Sequence, residues 1–262
     1  MSNLALLTDR AVLSVTGEDR VAFLQGLVSN DVAQAGPGRA VWAALLTPQG
    51  KWVADFFITA GPEGLWLDCE TGQAAMLAQR LSRFRMRANV QITPITMFVY
   101  VAWGGDPGQG VPDPRLPEAG WRVLSERVLV TNATAAAWDA HRLRLGLPDG
   151  SHDMEAEKST LLEAGFDALH GVSWDKGCYM GQELTARTKY RGLLKRRLVP
   201  VRITGAAPAP GSPVTLGGAE VGTMRSSQME IGLALLRLDA MAAPALDCGG
   251  AILHPAVPAW MD

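Results

Sequence analysis

The sequence is poor in the residues that usually carry metal or redox chemistry. Its 262 residues include three cysteines, Cys69, Cys178 and Cys248, and four histidines, His141, His152, His170 and His254. None falls into a C-x-x-C or H-x-x-x-H spacing, so neither an intrinsic zinc site nor a four-cysteine iron-sulfur site is expected, and no metal ligand is assigned. Three scattered cysteines cannot form a disulfide framework. Their odd number fits a reducing compartment, which makes the cytoplasm the expected location. No apolar run reaches the roughly 18 residues of a membrane span. The longest candidate, near 231–246, is interrupted by Arg237, Asp239 and Pro244. The first twenty residues carry Asp9, Arg10, Glu18, Asp19 and Arg20. These break a signal-peptide core and do not suit an acid-poor transit peptide, so the chain is read as starting directly with folded domain. A net charge of −2 lacks the basic excess that nucleic-acid binding requires.

What the sequence does have is glycine and proline, 28 and 16 residues, which favour many short elements joined by turns over a helical bundle. Short strands are expected at 4–7 and 11–15, then a helix capped by Thr16 and carrying Val21, Phe23, Leu24 and Leu27. Segments 39–46 and 52–59 flank Thr47-Pro48-Gln49-Gly50-Lys51 and read as a β-hairpin. A strand at 65–68 precedes the best helical pattern, 71–87, with strands following at 90–95 and 97–103. Residues 104–117 read as a surface loop, 127–130 as a strand, and 133–145 as a helix ended by Leu147-Pro148-Asp149-Gly150. From residue 195 onward, alternating residues and Pro/Gly turns predict a small, barrel-like C-terminal β-domain. The expected organisation is therefore an α+β region over 1–194, made of two interleaved subdomains, and a barrel-like domain over 195–262.

The segment 171–192 concentrates the polar chemistry. Cys178 lies between Gly177 and Gly181, where the backbone is free to adopt tight conformations and approach a ligand. A helix starting near Gly181 would favour its thiolate, as would Lys176 and Arg187, so the residues point to a Cys of lowered pKa. The alternative is a small buried residue in a tight turn. Lys, Gly, Tyr, Gln and Glu are poor core material and favour the functional reading. Cys69 and Cys248 lack such surroundings and are read as structural. One Cys cannot hold an iron-sulfur cluster alone, so any cluster contact is shared or transient. Lys176, Arg187, Lys189, Arg191, Lys195, Arg196 and Arg197 form either a local anion site or a solvated face.

Lys176-Gly177-Cys178-Tyr179-Met180-Gly181-Gln182-Glu183, with Arg187 after it, resembles the signature of the YgfZ family of folate-binding proteins. Phe23-Leu24-Gln25-Gly26-Leu27 followed by Ser29-Asn30-Asp31, the Thr47–Lys51 turn, and Gly146-Leu147-Pro148 agree with it, so the resemblance spans nearly the whole chain. It implies a fold like the glycine-cleavage T-protein, an aminomethyltransferase, with α+β domains and a β-barrel around a central hole. It also implies tetrahydrofolate binding and a role in assembly or repair of iron-sulfur enzymes, with iron-sulfur enzymes or cluster-assembly proteins as partners and Cys178 as the active residue.

A reduced pterin offers N–H donors to a carboxylate, and its glutamyl tail wants Arg or Lys. Asp55 is the candidate acid. Strand alternation places it with Val53 and Phe57, opposite Trp52, Ala54, Phe56 and Ile58; a solvent-facing Asp is the alternative. Asn30, Lys176, Gln182, Glu183, Arg187, Tyr190 and Arg191 complete the candidate folate set. For Asn30 a turn role is open, for Gln182 and Glu183 a first-turn helix role, and for Tyr190 and Arg191 a role covering the domain junction. Where the T-protein carries two adjacent acids, this chain has Ala54 and Asp55. Folate-dependent one-carbon (aminomethyl) transfer is accordingly the alternative activity rather than the leading one. An RNA-modification accessory factor is a third, supported only by the basic segment.

Overall fold

The computed structural model describes residues 2–261. In chain order the elements are β1 (Asn3–Leu7), β2 (Arg10–Thr16), α1 (Arg20–Gln25), β3 (Val41–Leu46), β4 (Trp52–Ala60), β5 (Leu65–Glu70), α2 (Thr71–Phe84), β6 (Gln91–Ile95), β7 (Phe98–Trp103), β8 (Val111–Pro112), β9 (Trp121–Ser125), α3 (Ala135–Leu145), α4 (Gly150–Asp153) and α5 (Gln182–Tyr190). The last stretch adds β10 (Arg196–Thr204), β11 (Pro213–Leu216), β12 (Ala219–Gln228), β13 (Ile231–Arg237), β14 (Leu246–Cys248) and β15 (Ala251–Pro255). They form a five-stranded sheet ordered β3-β4-β5-β2-β6, a four-stranded sheet ordered β1-β7-β9-β8, and a closed barrel ordered β10-β13-β12-β11-β14-β15. No helix among the described residues is long and apolar enough to cross a membrane.

The central hairpin is buried on both faces, which is why β3 and β4 read as nearly continuous apolar runs. Val41, Ala43, Leu45, Ala54, Phe56 and Ile58 pack with Leu24 of α1 and with Leu77 and Leu81 of α2. The opposite face, with Trp42, Ala44, Leu46, Trp52 and Phe57, packs on Leu147, Leu161, Phe166, Leu169 and Tyr179 from the irregular 147–179 segment. The barrel has its own core, including Val199, Val201, Val214, Met224 and Leu253.

Two local expectations are corrected. Thr16 does not cap α1; it stays paired with Gln91 in β2, and the turn at Gly17 to Asp19 intervenes before the helix. The strand expected at 127–130 is absent. The pairing strand is β9, which ends at Ser125, two residues before the expected start, because Ser125 Oγ bonds the backbone of Arg127 and turns the chain off the sheet. Val128 and Val130 are left in solvent. By contrast α3 has both its signals in place: Thr134 accepts from the Ala137 N–H, and Gly146 closes the helix at φ +76.

The sheets are joined by buried ion pairs. Asp68 of β5, fully buried, accepts from Arg10 Nε of β2 at 2.7 Å and from Arg122 Nε of β9 at 2.6 Å. Arg142 of α3 reaches Asp153 of α4 at 2.6 Å and Ser226 of β12 at 3.3 Å, tying the barrel to the helical segment. Removing one member of such a network leaves an uncompensated buried charge. Asp68→Ala is expected to lower stability by about 3–5 kcal/mol, read by urea unfolding. Arg237→Ala breaks an exposed, solvent-screened pair with Asp239 and is expected to leave the urea midpoint nearly unchanged.

Candidate functional site

Residues 171–182 have little regular structure of their own and are held by the hairpin and by the end of α1. Ser173 N–H donates to Ser29 O at 3.1 Å, and Met180 N–H to Gly26 O at 3.2 Å. The Lys176 ammonium donates to the carbonyls of Gln25, Val28 and Asn30 at 2.7, 2.7 and 2.9 Å. All three of its protons are thereby used on carbonyls at and just beyond the end of α1, a placement that also suits the helix dipole. Burial pulls its pKa down to about 8, opposed by the nearby Asp31 carboxylate. Lys176, read from the sequence as part of an anion site or a solvated face, is in the structure a tether for this loop.

On its other side the loop meets the Thr47–Lys51 turn. Gly181 adopts φ +80, and a Cβ there would lie 2.4 Å from Thr47 O and 3.0 Å from Gly50 Cα. Gly50, at φ +76, is equally closed in by Gly181 O and the Leu184 side chain. The two glycine motifs, 131 positions apart in sequence, are one backbone-to-backbone contact. Between these anchors Cys178 is exposed, whereas Cys69 and Cys248 are buried. Burial pushes the Cys69 thiol up to about 12 and raises that of Cys248. Tyr179, next to Cys178, is buried, and its N–H donates to the Gln182 side chain. The exposed thiol thus sits on a loop fixed from behind, four residues ahead of α5.

Asp55 is placed differently from either sequence reading. It is 4% exposed, and both oxygens are engaged: Oδ2 accepts from Trp42 Nε1 at 2.9 Å and Oδ1 from Trp52 Nε1 at 3.1 Å. Alternation puts Trp52 on the face opposite Asp55. The register shift between Leu45 and Leu46, which pairs Leu45 with Ala54 and Leu46 with Trp52, makes Val53 an extra residue. This bulge turns Trp52 onto the Asp55 face, a change that sequence periodicity cannot show. Arg115 lies over the rings of Trp42 and Phe57 and closes the same region. Desolvation raises the Asp55 pKa to about 6, against the opposing Trp42 hydrogen bond.

The remaining candidates lie beside Lys176 and Trp42, in the case of Asn30, or on α5 and at its C-terminal end. Asn30 is a structural link, its amide donating to Trp42 O at 2.8 Å and His170 O at 2.7 Å. Asp31 beside it caps the following short 3-10 turn by accepting from the Ala33 N–H. Glu183, Arg187, Tyr190 and Arg191 are exposed on α5 and just after it. Asn30 borders a cleft of about 480 Å³ that Arg39, His170 and Trp174 also line. A second cavity, about 690 Å³, lies between α3, α4 and the barrel and is lined by Arg142, Asp149, His152 and Arg225; none of the residues named for folate lines it. Of the residues named for folate, Lys176 and Asn30 meet at the Asn30 carbonyl, and Trp42 links Asn30 to Asp55; Asp55 is buried, and the Lys176 ammonium is engaged by backbone carbonyls.

Sequence reading passed over the second cavity. There Asp9, Asp149 and His152 place ligand atoms within 4.8 Å of one another. Asp149 also lies near Arg10 and Arg142, at 3.7 and 3.9 Å. Its hydrogen bond to His152 raises the imidazole pKa from 6.5 to about 9, so at neutral pH the ring holds a proton. No motif spacing announces this group, since Asp9 and His152 come from opposite ends of the α+β region.

Residues 195–262 match the family described as the CAF17 C-terminal beta-barrel domain. The chain is 31% identical over 280 residues to the iron-sulfur cluster assembly factor IBA57, mitochondrial, of Mus musculus, covering 91% of this chain and 78% of that one. It is 30% identical to the Homo sapiens factor of the same name, with 97% and 84% covered. It is 34% identical to the IBA57 homolog of Mycosarcoma maydis over 80% of this chain, and spans only 59% of that longer relative. Among solved structures, the glycine cleavage system aminomethyltransferase T from Bartonella henselae superposes with a TM-score of 0.78 at 15% identity, covering 100% of this chain and 86% of that chain. The fold is therefore the T-protein fold with a C-terminal barrel, as the motifs imply. The cytoplasmic location expected from the cysteines is overturned by these relatives, which are named mitochondrial. Scarce, unpaired cysteines argue against an oxidising compartment and do not separate one reducing compartment from another.

Two measurements check this geometry. Iodoacetamide added to the folded protein is expected to label Cys178 and to reach Cys69 and Cys248 only after denaturation, as read by peptide mass spectrometry. The His152 ring should titrate near pH 9 by NMR and return toward 6.5 in Asp149→Asn. Because the folded pKa is the higher one, the stability from this pair is full below about 6.5 and is lost as the pH rises through 9.

Proposed function

The chain belongs to the family of IBA57 iron-sulfur cluster assembly factors, and on that premise we propose that it serves iron-sulfur cluster assembly by offering Cys178 to a cluster carried by a partner. The observation that carries this reading is the exposed thiol on a loop tethered by Lys176 and braced by Gly181. One thiolate supplies one cluster ligand, so the other ligands come from the partner, and the cluster is cargo rather than a resident group. On engaging iron the Cys178 sulfur gives up its proton to solvent. The tether fixes the loop, so that little chain entropy is lost when the partner arrives.

Tetrahydrofolate has no step in this reading. The carboxylate that would receive a pterin already accepts two indole N–H groups, and the adjacent acid of the transferase pattern is replaced by Ala54. Tetrahydrofolate titrated into Asp55→Asn and into the unaltered chain is expected to give the same calorimetric response. Loss of binding in the variant alone would restore a pterin role for Asp55.

The function is tested in a strain lacking this chain, with iron-sulfur enzyme activity as the readout. The unaltered chain is expected to restore activity and Cys178→Ala to leave it at the deletion level, at equal protein abundance. Full restoration by Cys178→Ala would remove the thiol from the mechanism.

A further inference from the structure

Residues 176–197 hold seven Lys or Arg against one Glu, in a chain whose net charge is −2. The structure divides these cations sharply. Lys176 is spent on backbone carbonyls. Lys189 pairs with Asp167 at 2.8 Å, Arg196 pairs with Glu163 at 3.0 Å, and Arg197 lies 3.9 Å from Asp167. Arg187, Arg191 and Lys195 are exposed and have no carboxylate within ion-pair distance among the described residues. Asp167, Glu163 and Asp239 are each already matched by a cation of the chain, which leaves Asp175 and Glu183 as exposed acids beside three unmatched cations.

Apolar surface runs through the same patch. Tyr190 is 75% exposed, Leu193 48% and Leu238 42%. Leu193 and Leu238 form walls of a groove of about 680 Å³ between the end of α5 and the barrel, with Lys195 and Arg196 also lining it. The patch is continuous with the Cys178 loop, because Tyr190 meets Trp174 edge-on, ring centroids 6.0 Å apart, and Lys189 Nζ lies 5.6 Å from the Trp174 ring. An aromatic and two leucines beside three unmatched cations make a surface whose complement is an acidic protein presenting an apolar side chain.

We propose that the α5 face, from Arg187 through Lys195 to Leu238, is the docking surface for an acidic, cluster-bearing protein, seated so that its cluster comes to Cys178. This rests on the cluster-assembly reading and adds to it the location and the charge of the partner. Unmatched cations steer an acidic partner during approach, while the groove retains it.

The test uses the full chain in the deletion strain, with the triple charge reversal R187E/R191E/K195E, with Leu193→Asp, and with Cys178→Ala. Folding of each variant is checked by thermal unfolding and by the native iodoacetamide reaction at Cys178. The triple variant is expected to fold, to label normally, and to restore iron-sulfur enzyme activity at least about tenfold less well than the unaltered chain; Leu193→Asp is expected to be impaired as well. A photo-crosslinking benzoylphenylalanine at position 193 is expected to capture an acidic iron-sulfur or cluster-carrier protein, and to lose it in the triple variant. The same probe at position 130, where Val130 is 94% exposed on another part of the surface, is expected not to capture it. Restoration by the triple variant equal to that of the unaltered chain, with Cys178→Ala still inactive, would overturn the docking surface and leave the thiol's role standing. Equal restoration by Cys178→Ala would instead overturn the underlying reading. Capture of a second copy of this chain, or of RNA, at position 193 would also overturn the proposal.

Discussion

The Lys176 ammonium, gripping three carbonyls around the end of α1, is the interaction on which the rest of the site depends. A loop rich in glycine loses much conformational entropy on ordering. Here a charged donor meets carbonyls left over where a helix stops, each needing a partner and each carrying partial negative charge. With the Ser173 and Met180 backbone bonds and the Gly181 contact, that group fixes the path of residues 173–182 and so sets which way Cys178 faces. It also explains why a lysine two positions before the thiol belongs to the support of the site and not to its recognition surface.

Several buried charged groups follow a related rule, in that they are matched to neighbours within the chain before any ligand arrives. Asp68 is shared between Arg10 and Arg122, Arg142 between Asp139 and Asp153, and Asp55 between two indoles. The T-protein fold is thus retained with an acid in the central hairpin turned to internal use. Likeness of fold at 15% identity carries the architecture and not the transferase chemistry. What distinguishes the chain chemically is at the surface, where a thiol and three unmatched cations remain available.

Much of this was legible in the residues. Apolar periodicity located α2, the Pro-Gly turn located the β3–β4 hairpin, and Gly181 marked a left-handed turn three residues after Cys178. The failures have definite causes. A one-residue bulge at Val53 reversed the facing of Trp52, which simple alternation cannot anticipate. A serine side chain redirected the chain after β9, so a β-prone run at 127–130 stayed out of the sheet. Lys176 carried the right charge for an anion, but its true partners are carbonyls about 150 positions away, and the sequence has no means of displaying them. The Asp9, Asp149 and His152 group was invisible for the same reason.

Hairpin tips are normally where chains of a family drift in length, because they project into solvent and touch nothing. The tip between β3 and β4 is instead pressed backbone to backbone against Gly181, with Gly50 meeting its carbonyl and the first turn of α5. Even a methyl group is too large for either position. The spacing of this turn is consequently as tightly constrained as any residue in the core: an extra amino acid there would act as a wedge, prising the thiol-bearing segment away from the sheet that supports it.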